Sequence, residues 1–163
     1  MNIPVELSAE IDACKYIYLR KIFEPQDNKL ILIIEEANAS ITEGSISLPG
    51  GVTLKGSEIR SDVNSRLFEL TWDFYVAYSV RNESFVTRDE SEKIESGRLL
   101  QVYSNSKFLD YVASSTFATD EHPGPTKHIE IVCLNHIVDV ISTKFPEIRL
   151  LQKHTLSQHG LIQ

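Results

Sequence analysis

The side chains of this sequence best suited to chemistry gather in its last third. His128 and Glu130 stand two residues apart in KHIEIVCL, and Asp139 follows in the next apolar run. An imidazole and two carboxylates on neighbouring strands are the parts of an acid–base site or a cation cluster. The same face could equally be one open to solvent, where such residues are ordinary. Cys133 and His136 add a Cys-x-x-His pair, but a structural zinc site needs two further ligands, usually as a second close pair. Only Cys14 remains among the cysteines, so no metal and no cofactor is expected. Cys133 could also act as a nucleophile with His128, His136 or His154. Reactive thiols sit exposed in electropositive surroundings, whereas Cys133 continues the apolar register of Ile129 and Ile131 and reads as core. His122, in EHPGP, reads as a loop residue.

A second set lies upstream. Glu69, Asp73, Tyr75 and Arg81 fall on the polar side of one long alternating stretch and are expected to form a partner-binding face. Cross-strand ion pairs on a wet face would give the same pattern. Gly-x-Ser-x-Gly, His-Glu-x-x-His and the dinucleotide-binding glycine pattern are all missing. SLPGG, at 47–51, lacks the spacing and following helix of a phosphate loop and reads as a hairpin tip.

The element that must position these groups is the stretch from Leu67 to Phe85. Phe68, Leu70, Trp72, Phe74, Val76, Tyr78 and Val80 occupy every second position, which is the period of a strand. A strand of about fourteen residues is long, so a bend, bulge or turn is expected near Trp72–Phe74. Lys15–Glu24 and KLILIIEEA, separated by PQDN, predict a hairpin whose second strand is apolar on both faces and therefore central. The opening residues 1–12 read either as a short edge strand or as a helical turn from Ser8. The charged segment 86–97 reads as a short exposed helix capped by Gly97 or as a loop. RLLQVYS and KHIEIVCL are strands, and residues 104–116 are a helix capped by Ser104 or Asn105 with Phe108, Leu109 and Val112 on one face. Residues 137–141 fit helical spacing, but their β-branched content favours a strand. PEIRLL adds a last short piece, and the polar end from about 152 is expected to fray.

These elements predict an α+β fold. It would be a mostly antiparallel, strongly curved β-sheet, with a partly open barrel as a variant, carrying one or two helices in a single domain over 1–163. The formal charge of −7 on 163 residues disfavours nucleic acid and anionic membrane as partners and favours another protein, in particular a basic one. The start of the sequence lacks the basic and apolar regions of a secretory signal, and two distant cysteines suit a reducing compartment, so a cytoplasmic location is expected. The function expected from these features is non-catalytic protein binding. The protein would be an immunity or inhibitor-type protein that neutralises a basic toxin or nuclease, or a chaperone-like binder. The alternative is a small enzyme or ligand-binding protein with His128, Glu130 and Asp139 lining a polar pocket.

Overall fold

The computed structural model describes residues 5–152. In chain order these are α1 (Val5–Ala13), β1 (Tyr16–Gln26), β2 (Lys29–Ser47), β3 (Thr53–Arg60), β4 (Leu67–Trp72) and β5 (Ala77–Asn82). A single 3-10 turn (Glu83–Phe85), β6 (Lys93–Ser96), β7 (Leu100–Asn105), α2 (Lys107–Ser115), β8 (Lys127–Val132), β9 (His136–Ser142) and β10 (Glu147–Leu151) follow. The strands form two antiparallel five-stranded sheets. The first runs β1-β2-β4-β10 with β3 paired to the far part of β2, and the second runs β5-β9-β8-β7-β6. The α+β expectation therefore holds, with two helices among the described residues. The barrel variant does not: each sheet ends in open edge strands rather than pairing back on itself.

The alternating stretch explains the split. It is two strands rather than one, and the chain crosses from the first sheet to the second at residues 73–76, where the bend was expected. Phe68, Leu70 and Trp72 face the core from one layer, and Tyr78 packs against that core from the other. Both halves turn their even-numbered positions inward, so one period-two stripe runs through the crossover. It weakens at Phe74, in the crossover, and at Val80, on the edge strand; both are partly exposed.

The predicted hairpin is β1–β2, tightened to the two residues Asp27 and Asn28, with Asn28 in the left-handed region (φ 62°) that asparagine tolerates. β2 lies between β1 and β4, as its apolar faces require. Leu30, Leu32 and Ile34 meet Ile129, Ile131, Val138 and Val140 in a core shared by the two sheets. Asn135 closes one edge: its Oδ1 accepts the Leu19 N–H and its Nδ2 donates to the Leu19 carbonyl, both at 3.0 Å. SLPGG is the β2–β3 tip, and residues 137–141, read as a strand, lie within β9.

Two local expectations change. Residues 5–13 are helical, so the edge-strand reading fails over that span. Within 86–97 the ordered element is β6, an edge strand whose four residues are all exposed. Charge is what an unpaired edge carries to resist intermolecular pairing, and here it hid the strand. Gly97 (φ +86°) ends that strand, where a Cβ would lie 1.9 Å from the Leu100 carbonyl oxygen. Asp12 holds the following turn: its Oδ1 accepts the N–H groups of Arg98, Leu99 and Leu100 at 3.0, 2.7 and 3.0 Å. The end expected to fray lies, from residue 153 onward, outside the described residues. No described helix is long and apolar enough to cross a membrane.

Candidate functional site

Alternation along the strands of the second sheet puts apolar residues on the core side and a polar set on the other. β8 turns Ile129 and Ile131 inward and His128 and Glu130 outward. Register pairs Glu130 with Asp139 on β9, and Asp139 with Ser79 on β5, two residues from Arg81. On the other flank, Gln101 and Tyr103 of β7 pair with Glu130 and His128. An outward face of this kind is ordinarily wet, but α2 packs over it and buries it. The side chains of His128 and Asp139 are each only 3% exposed and that of Glu130 is 9% exposed.

Burial at that depth demands that every polar atom be satisfied. Arg81 grips Asp139 with two bonds, Nε to Oδ2 at 2.9 Å and Nη2 to Oδ1 at 2.8 Å, and Nη2 also donates to Glu130 Oε2 at 2.9 Å. His128 Nε2 lies 3.1 Å from Asp139 Oδ1, and its Nδ1 lies 2.8 Å from Ser106 Oγ. Ser106 is the N-cap of α2, and its Oγ accepts the Leu109 N–H at 3.1 Å. Both ring nitrogens of His128 thus have a partner, Asp139 on one side and Ser106 on the other. Tyr103 stacks on the imidazole, with ring centroids 4.6 Å apart.

The carboxyls are driven in opposite directions. Burial pushes Asp139 up, but the hydrogen bonds from His128 and Arg81, with their charges, outweigh it and hold the group below its ordinary value. Burial pushes Glu130 up, the Asp139 charge adds to this, and the result stays above the ordinary value despite Tyr103 and Arg81. The Tyr103 hydroxyl has one proton and two acceptors in range, Gln101 Oε1 at 3.2 Å and Glu130 Oε1 at 3.1 Å. Gln101 cannot turn its oxygen away, because its Nε2 donates to the Arg98 carbonyl at 2.9 Å. The one Tyr103 proton is therefore shared between the two oxygens.

A cleft of about 370 Å³ opens over this network. Its floor includes Arg81, His128, Glu130 and Asp139, and one wall is Phe108 and Tyr111 of α2. The opposite wall is the segment 87–92, tied to the start of α2 by an Asp89–Lys107 ion pair and by the Lys107 N–H donating to Glu92 Oε1 at 2.9 Å. A second cleft, of about 120 Å³, adjoins it and shares Arg81, Arg88, Glu92 and Glu130.

Three chemistries can be weighed on this geometry. Ser106, His128 and Asp139 are in hydrogen-bonded series, as a serine nucleophile with its base would be. Ser106 is 0% exposed and its oxygen is committed to the helix cap, so no substrate reaches it. Ligand atoms of His128, Glu130 and Asp139 lie within 4.8 Å of one another, close enough to share a metal ion. Arg81 already donates to both carboxylates, and a metal ion would have to displace it. The third is recognition. A guanidinium held rigidly by two buried carboxylates presents its remaining donors at a fixed position in the cleft.

The structure thus brings together His128, Glu130 and Asp139, and adds Arg81 from the other predicted set. Glu69, Asp73 and Tyr75 lie elsewhere. Glu69 is on β4, facing Arg149 of β10 in register; Asp73 pairs with Lys29 at 2.9 Å; the Tyr75 hydroxyl donates to Glu24 at 2.8 Å. Tyr103, Gln101, Ser106 and Arg88 were not singled out by sequence. Gln101 and Tyr103 alternate with Leu100 and Val102, which was the available signal. Ser106 sits one and two residues past the caps expected. Cys133 is 1% exposed and Cys14 is 0%, both as free thiols. Comparison of the chain with protein-family models, with curated proteins and with solved structures finds no match.

Proposed function

We propose that the protein binds a small polar ligand in the cleft between α2 and the outer face of the second sheet, without transforming it. One observation carries the reading. Four ionisable side chains from three strands converge beneath an open cavity, three of them buried and all linked through Arg81 and Asp139, and leave one guanidinium edge unpaired. A cavity of this size, with an aromatic wall and a few convergent polar groups, has the properties of a metabolite site. Catalysis finds less support, because both carboxyls on the cleft floor are already engaged by Arg81.

A thermal-shift screen of the full chain against a metabolite panel tests the reading. A ligand at a hundred times its Kd adds about 2.7 kcal/mol, or about 5–10 °C in Tm for a chain of this size. The shift should shrink in Arg88→Gln and Tyr111→Ala, two exposed positions on opposite walls. A panel without hits, or hits indifferent to both substitutions, would count against the cleft.

A second reading has its own support. Phe85 and Phe117 are each 84% exposed, and the chain carries a charge of −7, features of a surface that covers a basic partner such as a toxin or nuclease in the manner of an inhibitor or chaperone. Capture of a defined basic protein at low salt, lost on Phe85→Ser or Phe117→Ser, would support it. Capture unchanged by either substitution would oppose it.

A further inference from the structure

Resting on the cleft reading, we propose that the ligand is a small organic acid, its carboxylate held by Arg81 and Arg88 and its body lying against Phe108 and Tyr111. The sign of the charge follows from which groups in the cleft are already engaged. Asp139 accepts from Arg81 and His128, and Glu130 accepts from Arg81 and bonds Tyr103. Asp89 is paired with Lys107 and accepts from Ser91, and Glu92 accepts the Lys107 N–H. Each acidic group that lines the cleft therefore has a donor already, and Asp139, Glu130 and Asp89 each have a cationic partner within the chain.

The basic groups differ. Arg81 uses Nε and both protons of Nη2 on the two carboxylates, while its Nη1 has no acceptor among the described residues. Arg88 is exposed, lines both adjoining clefts with Arg81, and has no hydrogen-bond or ion-pair partner among the described residues. Two guanidinium groups with free donors face one cavity, and an anion completes both.

Carboxylate suits the site better than a phosphate dianion. Asp139, Glu130, Asp89 and Glu92 surround the cleft within a chain already at −7, so each added negative charge costs more than the last. A single planar carboxylate matches the guanidinium fork with one charge. The body of the ligand has a partner as well. The Phe108 and Tyr111 rings stack 6.2 Å apart at 13° and present a flat apolar wall, with Tyr111 62% exposed. At about 370 Å³ the cleft is at the small end of ligand sites, which selects metabolite-sized acids.

The test uses benzoate, benzylamine and benzyl alcohol, which share one ring and differ in charge. Each is titrated into the isotope-labelled full chain while the backbone amide signals of Ser79, Arg81, Arg88 and Tyr111 are followed by NMR. Benzoate is expected to shift these signals saturably, with Arg88→Gln and Tyr111→Ala each weakening it about tenfold, the scale of one lost charge-assisted bond or ring contact. Benzylamine or benzyl alcohol saturating the same signals as tightly would overturn the carboxylate assignment and leave the cleft reading standing. Benzoate binding that ignores both substitutions, or silence from all three probes, would also overturn it. The cleft reading falls too only if the wider metabolite screen is silent.

Discussion

Replacing Arg81 by Met keeps the apolar stem of the side chain and removes the guanidinium and its charge. Asp139 and Glu130 would then share a site in which their side chains are 3% and 9% exposed, with only His128 and Tyr103 left to meet them. Removing one partner of a fully buried pair costs about 3–5 kcal/mol. The Arg81 side chain is 41% exposed, so water screens one end of the interaction and about 2–3 kcal/mol is the better expectation. For a chain of this size that is about 4–12 °C in Tm. The pH dependence has a definite sign. In the wild type Asp139 titrates below its ordinary value, so its stabilisation is complete above the unfolded carboxylate range and is lost as pH falls through the folded value. Glu130 titrates above its ordinary value, so its contribution is complete below the unfolded value and declines as pH rises through the folded one. Arg81→Met removes one of the two partners that lower Asp139 and frees Glu130 to rise further, so the variant loses most at pH 7.5 and approaches the wild type near pH 4. Glu130→Gln should recover part of the loss in the double variant. Urea unfolding at pH 7.5 and pH 4 measures both arms. A loss below about 1 kcal/mol at pH 7.5, or one that grows on acidification, would refute the account of the network.

Glu130→Gln alone should be within about 1 kcal/mol of the wild type at pH 7.5, because a glutamine oxygen accepts from Arg81 and its amide donates to Tyr103; a large loss on urea unfolding would show that Glu130 is held as the anion. Ser106→Ala removes the α2 cap and the partner of His128 Nδ1 together, for a loss of about 2–3 kcal/mol, and urea unfolding of Ser106→Thr should show most of it regained. Gly97→Ala places a Cβ against the Leu100 carbonyl in a left-handed residue, so a loss of at least about 2 kcal/mol is expected in thermal melts and an unchanged Tm would contradict the turn. Both thiols should resist a disulfide reagent at pH 8 until the chain unfolds, since burial pushes Cys14 up to about 11 and Cys133 further still; rapid labelling of the native protein would show that one of them is reachable.

How much of this was legible in the sequence depends on which physical period carried the information. Period-two alternation located β4, β5 and β8, and turn chemistry located the β1–β2 and β2–β3 hairpins, because both signals are local. Alternation cannot say which sheet a strand joins, so the crossover at 73–76 divided what read as one ribbon, and Arg81 left the company of Glu69 and Asp73. The site was half visible for the same reason. His128 and Glu130 share a face by parity, but parity alone makes that face exposed; only the packing of α2 across β8 and β9 buries it and makes the charges depend on one another. Arg81 reaches the cluster through a pairing between β5 and β9, more than fifty residues apart in sequence, and Tyr103 through another between β7 and β8. Charges that look like a solvated strand face become an interdependent buried network when a neighbouring helix excludes water, since an unpaired carboxylate at that depth is costly while one held by a guanidinium is less so. The unused donor of Arg81 follows from that requirement: its Nε and Nη2 are spent on the buried carboxylates, and Nη1 is left beside the cleft that Arg88 also lines.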